Sequence, residues 1–142
     1  MRRSIVAMAA VAMLVSLGAG PAGAHDERYK SRLTLKEPAF VVPTRGTFAY
    51  RGRITSERSQ CEPGRTIALY RKQPGSPEVE VGNTETNAEG KYSITLEVNM
   101  AGKYYARASK GSYGGAGHDH VCLADESGKV DFPPEPRRPW KS

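Results

Sequence analysis

The chain has little of the side-chain chemistry that hydrolytic enzymes use. Its 142 residues include only three histidines and two cysteines, so a nucleophile, a base and an orienting group can be drawn from very few positions. The sequence has no nucleophile-elbow glycine motif, and the glycine-rich run 111–117 is neither a dinucleotide-binding G-x-G-x-x-G nor a phosphate-binding loop. We therefore predict that the protein is not an enzyme.

Long apolar runs are also scarce. The one candidate, Ile5 to Leu17, is shorter than the roughly 20 apolar residues that a membrane span needs. It follows two arginines and precedes Ala22-Gly23-Ala24, which is the pattern of a cleavable signal peptide. We predict a signal peptide over residues 1–24, cleavage just before His25, no membrane span, and release as a secreted protein.

Charge of one sign is not concentrated in any segment. Removal of Arg2 and Arg3 with the signal peptide reduces the 21 basic residues to 19 against 15 acidic residues, a net charge of +4. This charge favours weak attraction to an anionic cell envelope. The expected partner is therefore an envelope protein or polysaccharide. Because the basic residues are interspersed with glutamates, no nucleic-acid partner is expected.

The two cysteines, Cys61 and Cys122, are even in number and belong to an exported chain, so we predict a disulfide between them. Closing a loop of about 60 residues would stabilise the fold by roughly 3 to 4 kcal/mol in the chain-entropy model. About 118 mature residues suffice for one domain. We assign this domain to residues 25–132, and the proline-rich residues 133–142 to a disordered tail.

Period-two alternation of apolar and polar residues dominates the mature chain, and no useful window shows helical periodicity. Turn signals recur about every eight to twelve residues and separate about seven strand candidates, which is typical of an all-β sandwich. The first candidate is an edge strand interrupted by Pro38. The residues predicted to share the apolar strand faces are Phe48, Tyr50, Ile54, Ile67, Leu69, Tyr92, Ile94, Leu96 and Val98.

Several segments resemble small secreted actinobacterial domains of the prealbumin-like, carboxypeptidase-regulatory-like or bacterial Ig-like type. The resemblance covers about residues 46–132 and implies a seven-stranded antiparallel sandwich acting as a monomeric structural or binding module of unassigned function. In such a sandwich, the loops that carry Cys61 and Cys122 lie at the same end, which agrees with the predicted disulfide. The matching segments are 48–56, 61–70, 86–92, 102–106, Cys122 and 127–130.

The segment His118-Asp119-His120 departs from the family pattern. Together with the predicted amino-terminal His25, these histidines could bind copper, because a free amine and imidazoles are suitable ligands. Copper is the only cofactor that the sequence suggests. We predict that the His-Asp-His segment is a solvated loop, that cleavage before His25 is incidental and that the protein has no cofactor; copper binding is the alternative.

Two tyrosines have predicted roles outside ordinary core packing. Tyr113 lies in the glycine-rich loop and is the tyrosine that we expect to take part in recognition, since tyrosine is favoured in binding patches. Tyr104, two residues after Gly102, is predicted to form a tyrosine corner, which is a structural device.

Overall fold

The computed structural model of the chain describes residues 27–42, 46–115 and 118–133. The predicted signal peptide (residues 1–24), His25 and residues 134–142 of the predicted tail lie outside these ranges. Within them the chain is all-β, with twelve strands, one turn of 3-10 helix and no α-helix. The described part also contains no helix with the length and hydropathy needed to cross a membrane.

The strands have the following bounds, with the 3-10 turn Ser59–Cys61 between β4 and β5. They are β1 (Glu27–Tyr29), β2 (Ser31–Leu35), β3 (Ala39–Val42), β4 (Thr47–Ser56), β5 (Thr66–Lys72), β6 (Val79–Glu85), β7 (Lys91–Leu96), β8 (Gly102–Ala108), β9 (Gly111–Tyr113), β10 (His120–Cys122), β11 (Asp125–Glu126) and β12 (Val130–Phe132).

Two antiparallel sheets pack together as a sandwich, and a third, smaller sheet lies beside them. In the first sheet β4 is central, with β7 along one side and β2 then β3 along the other. In the second sheet β5 lies between β6 and β8, and β11 then β12 pair with the far side of β8. The third sheet has the order β1-β10-β9, and its β1–β10 pair is parallel.

The predicted count of seven strands is wrong, because the described residues form twelve. Two outer strands of the sandwich are interrupted: β2 and β3 are separated by Lys36-Glu37-Pro38, and β11 and β12 by Ser127-Gly128-Lys129. Proline lacks the N–H needed for a ladder hydrogen bond, which explains the first break. The other extra strands form the third sheet, and its β9 occupies the start of the run predicted to be a glycine-rich loop.

The core lies between the first and second sheets and confirms the predicted alternation. Leu33 of the interrupted edge strand joins it, and Tyr104 donates a hydrogen bond to the Met100 carbonyl at 2.6 Å, as a tyrosine corner does. Val98 is an exception, because β7 ends at Leu96 and Val98 is 79% exposed. The predicted residues found in the core are Phe48, Tyr50, Ile54, Ile67, Leu69, Tyr92, Ile94 and Leu96.

Candidate functional site

The predicted disulfide is present at one end of the sandwich. Cys61, in the 3-10 turn after β4, bonds to Cys122 at the end of β10, with 5.4 Å between their Cα atoms. Both cysteines are buried. The bond therefore links β10 of the third sheet to the turn that follows β4, the central strand of the first sheet.

Arg65 reinforces the same end of the molecule. Its side chain is buried, and its guanidinium donates to the Ser31 hydroxyl (3.2 Å) and to the backbone carbonyls of Cys61 (2.9 Å), Ser109 (2.6 Å) and Leu123 (3.0 Å). Burial lowers the pKa of this guanidinium. This role was not predicted from the sequence. The sequence did indicate burial, because Arg65 alternates in phase with the core residues Ile67 and Leu69 and so lies on the same side of the strand.

Three rings on the third sheet form a cluster that we call the aromatic pole: Tyr29 on β1, Tyr113 on β9 and His120 on β10. Tyr113 and His120 are register partners, and their rings stack with centroids 4.8 Å apart. Tyr29 lies 6.4 Å from Tyr113 and 5.9 Å from His120, between centroids. The guanidinium of Arg58 lies 5.2 Å from the centre of the Tyr29 ring, within cation–π range. All three rings of the pole are partly exposed.

One carboxylate, that of Glu27, lies beside the aromatic pole. It accepts a hydrogen bond from the Tyr29 hydroxyl, and this bond lowers the pKa of Glu27 and raises the pKa of Tyr29. Its Oε2 also lies 3.3 Å from Nδ1 of His120. That nitrogen is buried and has no partner with hydrogen-bond geometry within the described ranges.

The residues proposed from the sequence for copper are not assembled by the described chain. His118 and Asp119 are exposed in the segment before β10, whereas His120 lies on β10 against Glu27 and Tyr113. His25 lies outside the described residues. Among the residues that are described, no three histidine, cysteine, aspartate or glutamate side chains form a group that could hold a metal ion.

The structure does bring together two residues that the sequence had suggested for separate roles, Tyr113 for recognition and His120 for metal binding. Sequence reasoning missed their neighbours Tyr29, Glu27 and Arg58. Glu27 and Tyr29 belong to a polar segment without apolar alternation, and only the parallel pairing of β1 with β10 places them here.

Comparison with known proteins does not assign the chain to a family. No protein-family model matches the sequence, and no curated protein matches it. The architecture itself is an all-β, sandwich-like fold that is compatible with an Ig-like domain.

Proposed function

We propose that the chain is a secreted, monomeric, non-catalytic binding module of the bacterial cell envelope or extracellular space, and that the aromatic pole contacts its ligand. We infer further that its sandwich is of the prealbumin-like or Ig-like type. The buried disulfide is in keeping with an oxidising compartment outside the cytoplasm. Since both cysteines are joined in it, neither is available as a nucleophile.

One observation carries the proposal: partly exposed rings from three strands stand together on a small sheet that adds nothing to the core between the main sheets. Rings that stabilise only the fold are usually covered, whereas tyrosine is enriched where proteins contact ligands. The disulfide and Arg65 hold the rings in place before binding, which reduces the entropy lost on association. An envelope polysaccharide or protein is the partner that we expect.

The test is a binding isotherm of the mature chain, residues 25–142, on insoluble peptidoglycan. Tyr113→Ala should weaken binding about fivefold, because an aromatic contact is worth about 1 kcal/mol. Tyr70→Ala is the matched control, since Tyr70 is also a partly exposed ring stacked on a neighbour, but on the second sheet. Absence of binding, or equal weakening by both substitutions, would contradict the proposed role of the aromatic pole at the envelope.

Copper binding is a second candidate function, and the parallel pairing of β1 with β10 favours it. Glu27 pairs in register with His120, and in sequence Glu27 follows His25 by two residues. The amino-terminal end of β1 therefore lies beside the start of β10, directly after His118 and Asp119 in the chain. A free amine, the His25 ring and one of these imidazoles are ligands that Cu(II) prefers.

This alternative is tested by titrating Cu(II) into two forms of the mature chain, one beginning at His25 and one carrying an additional glycine before it. Copper binding at this site predicts stoichiometric binding with several nitrogen ligands by paramagnetic resonance, weakened both by the added glycine and by His120→Ala. If neither His120→Ala nor the double variant His118→Ala/His120→Ala changes the affinity and the spectrum, the copper is bound by the amino terminus alone and the site does not exist.

A further inference from the structure

A groove of about 630 Å³ crosses the outer face of the first sheet, away from the aromatic pole, with which it shares no residue. Four cations line it: Lys36 after β2, Arg51 and Arg53 on β4, and Lys91 at the start of β7. We call it the basic groove. Arg51 and Arg53 are two residues apart on one strand and so point to the same side, and Lys91 is the register partner of Arg53. Four cations from three segments therefore converge on one concave surface.

The charges of the basic groove are only partly compensated. Glu37 is the one carboxylate among its lining residues. Arg53 lies 3.9 Å from Glu62, and Lys91 lies 3.0 Å from Glu89, but the two basic side chains are 51% and 60% exposed. The Lys91–Glu89 pair is exposed on both sides and contributes between zero and about 1 kcal/mol, so a ligand can replace it. The Glu62 carboxylate is mostly covered, and its distance from Arg53 is at the long limit for an ion pair.

Lys36 and Arg51 are the least compensated of the four cations. Neither side chain has an ion-pair or hydrogen-bond partner within the described ranges, and both are exposed. Their backbones are nevertheless fixed relative to each other, since the Lys36 N–H donates to the Arg51 carbonyl at 2.9 Å. The two free cations are thus held side by side by the sheet rather than by their own side-chain contacts.

The other lining residues of the basic groove are mostly small. Ala39 and Ala49 are register partners, and Gly52 follows on β4. A side chain at Gly52 would collide with the Thr34 carbonyl and with the Tyr92 hydroxyl, which donates to that carbonyl at 2.6 Å. The break between β2 and β3 lies along the same side of β4, so the floor of the groove is made of small residues at this edge.

These features point to one class of ligand. Arginine pairs with carboxylate and phosphate groups through two parallel hydrogen bonds, so the groove suits an anionic ligand. A concave surface fits a chain better than it fits a flat bilayer. Tyr92, the one aromatic residue among its lining residues, is 5% exposed and already hydrogen-bonded, so the groove offers no platform for stacking nucleic-acid bases.

We propose that the basic groove binds an anionic polysaccharide, a sugar chain that carries carboxylate or phosphate groups, with Lys36 and Arg51 as its main contacts. This goes beyond the role proposed for the aromatic pole. The two surfaces can be tested separately, because Tyr113→Ala leaves the groove intact and substitutions in the groove leave the pole intact.

The experiment is calorimetric titration of the mature chain with polygalacturonate (carboxylate), wall teichoic acid (phosphate), neutral dextran and a 20-base-pair DNA duplex. The variant Lys36→Gln/Arg51→Gln is compared with Lys72→Gln/Lys110→Gln, which removes the same charge from exposed positions outside the groove. We expect the groove variant to lose at least tenfold in affinity for an anionic polymer, the control to stay within twofold, and dextran not to bind.

Each outcome decides the proposal. Preference for polygalacturonate identifies the carboxylate as the recognised group, preference for teichoic acid identifies the phosphate, and equal binding identifies the anionic chain in general. Equal weakening by both double variants would mean that net charge alone drives binding and would overturn the proposal. So would no binding to either anionic polymer, or tighter binding of DNA that depends on Arg51.

Discussion

The outer faces of the two main sheets use charge in opposite ways. On the second sheet, Tyr70 and Tyr105 stack with centroids 5.6 Å apart, and the Arg107 guanidinium lies 4.7 Å and 5.7 Å from their centres. Arg107 also pairs with Glu78 at 3.4 Å and with Glu126 at 3.1 Å. On the first sheet, Lys36 and Arg51 stand beside a floor of small residues with no acidic partner in the described chain.

The difference shows what each face can do. Around Arg107 the cation is held by two carboxylates and two rings, and the hydrogen bond with Glu126 raises its pKa, so its interactions already stabilise the folded protein. Arg51 makes no such contact, so it contributes little to the stability of the folded state. Its guanidinium is therefore available to pair with a ligand. Four substitutions test this contrast, from the largest expected effect to the smallest.

Tyr105→Ala should lower the free energy of unfolding by about 3–4 kcal/mol, the range for removing a buried aromatic side chain. Although Tyr105 is on the outer face, it is only 2% exposed, covered by its contacts with Tyr70, Arg107 and Lys129. Urea unfolding of the disulfide-intact chain measures the change. Tyr105→Phe should cost only about 1 kcal/mol, since it removes just the hydroxyl that bonds to Glu78; an equally large loss would assign the effect to that bond.

Gly52→Ala should lower the free energy of unfolding by about 2–3 kcal/mol, because the new methyl group would force apart Thr34 and Tyr92. This variant tests whether the stability of the first sheet depends on the packing of the small residues under the basic groove rather than on the charges that line the groove. Gly128→Ala is the matched control, since a Cβ there meets nothing within 4 Å. Similar unfolding curves for the two variants would mean that the floor of the groove is not tightly packed.

Arg107→Gln should cost about 1–2 kcal/mol in urea unfolding. The substitution removes cation–π contacts worth about 0.5–1 kcal/mol each at exposed sites and ion pairs worth less. Arg107→Lys should recover less than half of the loss, because an ammonium group cannot lie flat over the rings as a guanidinium does. Full recovery by lysine would show that charge alone, and not the shape of the group, stabilises this face.

Arg51→Gln should change the free energy of unfolding by less than about 0.5 kcal/mol, as is usual for an exposed residue without specific contacts. The same urea series measures it beside Arg107→Gln. A loss above 1 kcal/mol would remove the contrast between the faces, because Arg51 would then stabilise the fold through contacts of its own.

Local patterns in the sequence were sufficient for the main strands of the sandwich and for the face of each that packs, but not for the third sheet. Tyr50 and Ile54 on β4, and Ile67 and Leu69 on β5, are fully buried as their alternation predicts. The disulfide was also predictable, since two cysteines have only one pairing available. In each case the information lies within a few neighbouring residues or in a simple count.

Pairing across the fold was not predictable in this way. Arg51 and Arg107 both alternate with core residues and look alike along the chain, yet Arg107 meets Glu78, 29 residues away, and Arg51 meets no carboxylate among the described residues. The aromatic pole likewise depends on β1 pairing with β10, across more than 90 positions. Sequence alone determined where the main strands of the sandwich form and which residues they bury, because side chains alternate locally. Only the tertiary structure decided that β1, β9 and β10 form a third sheet and which charges and rings meet, because register between distant strands is set by the packing of the whole domain.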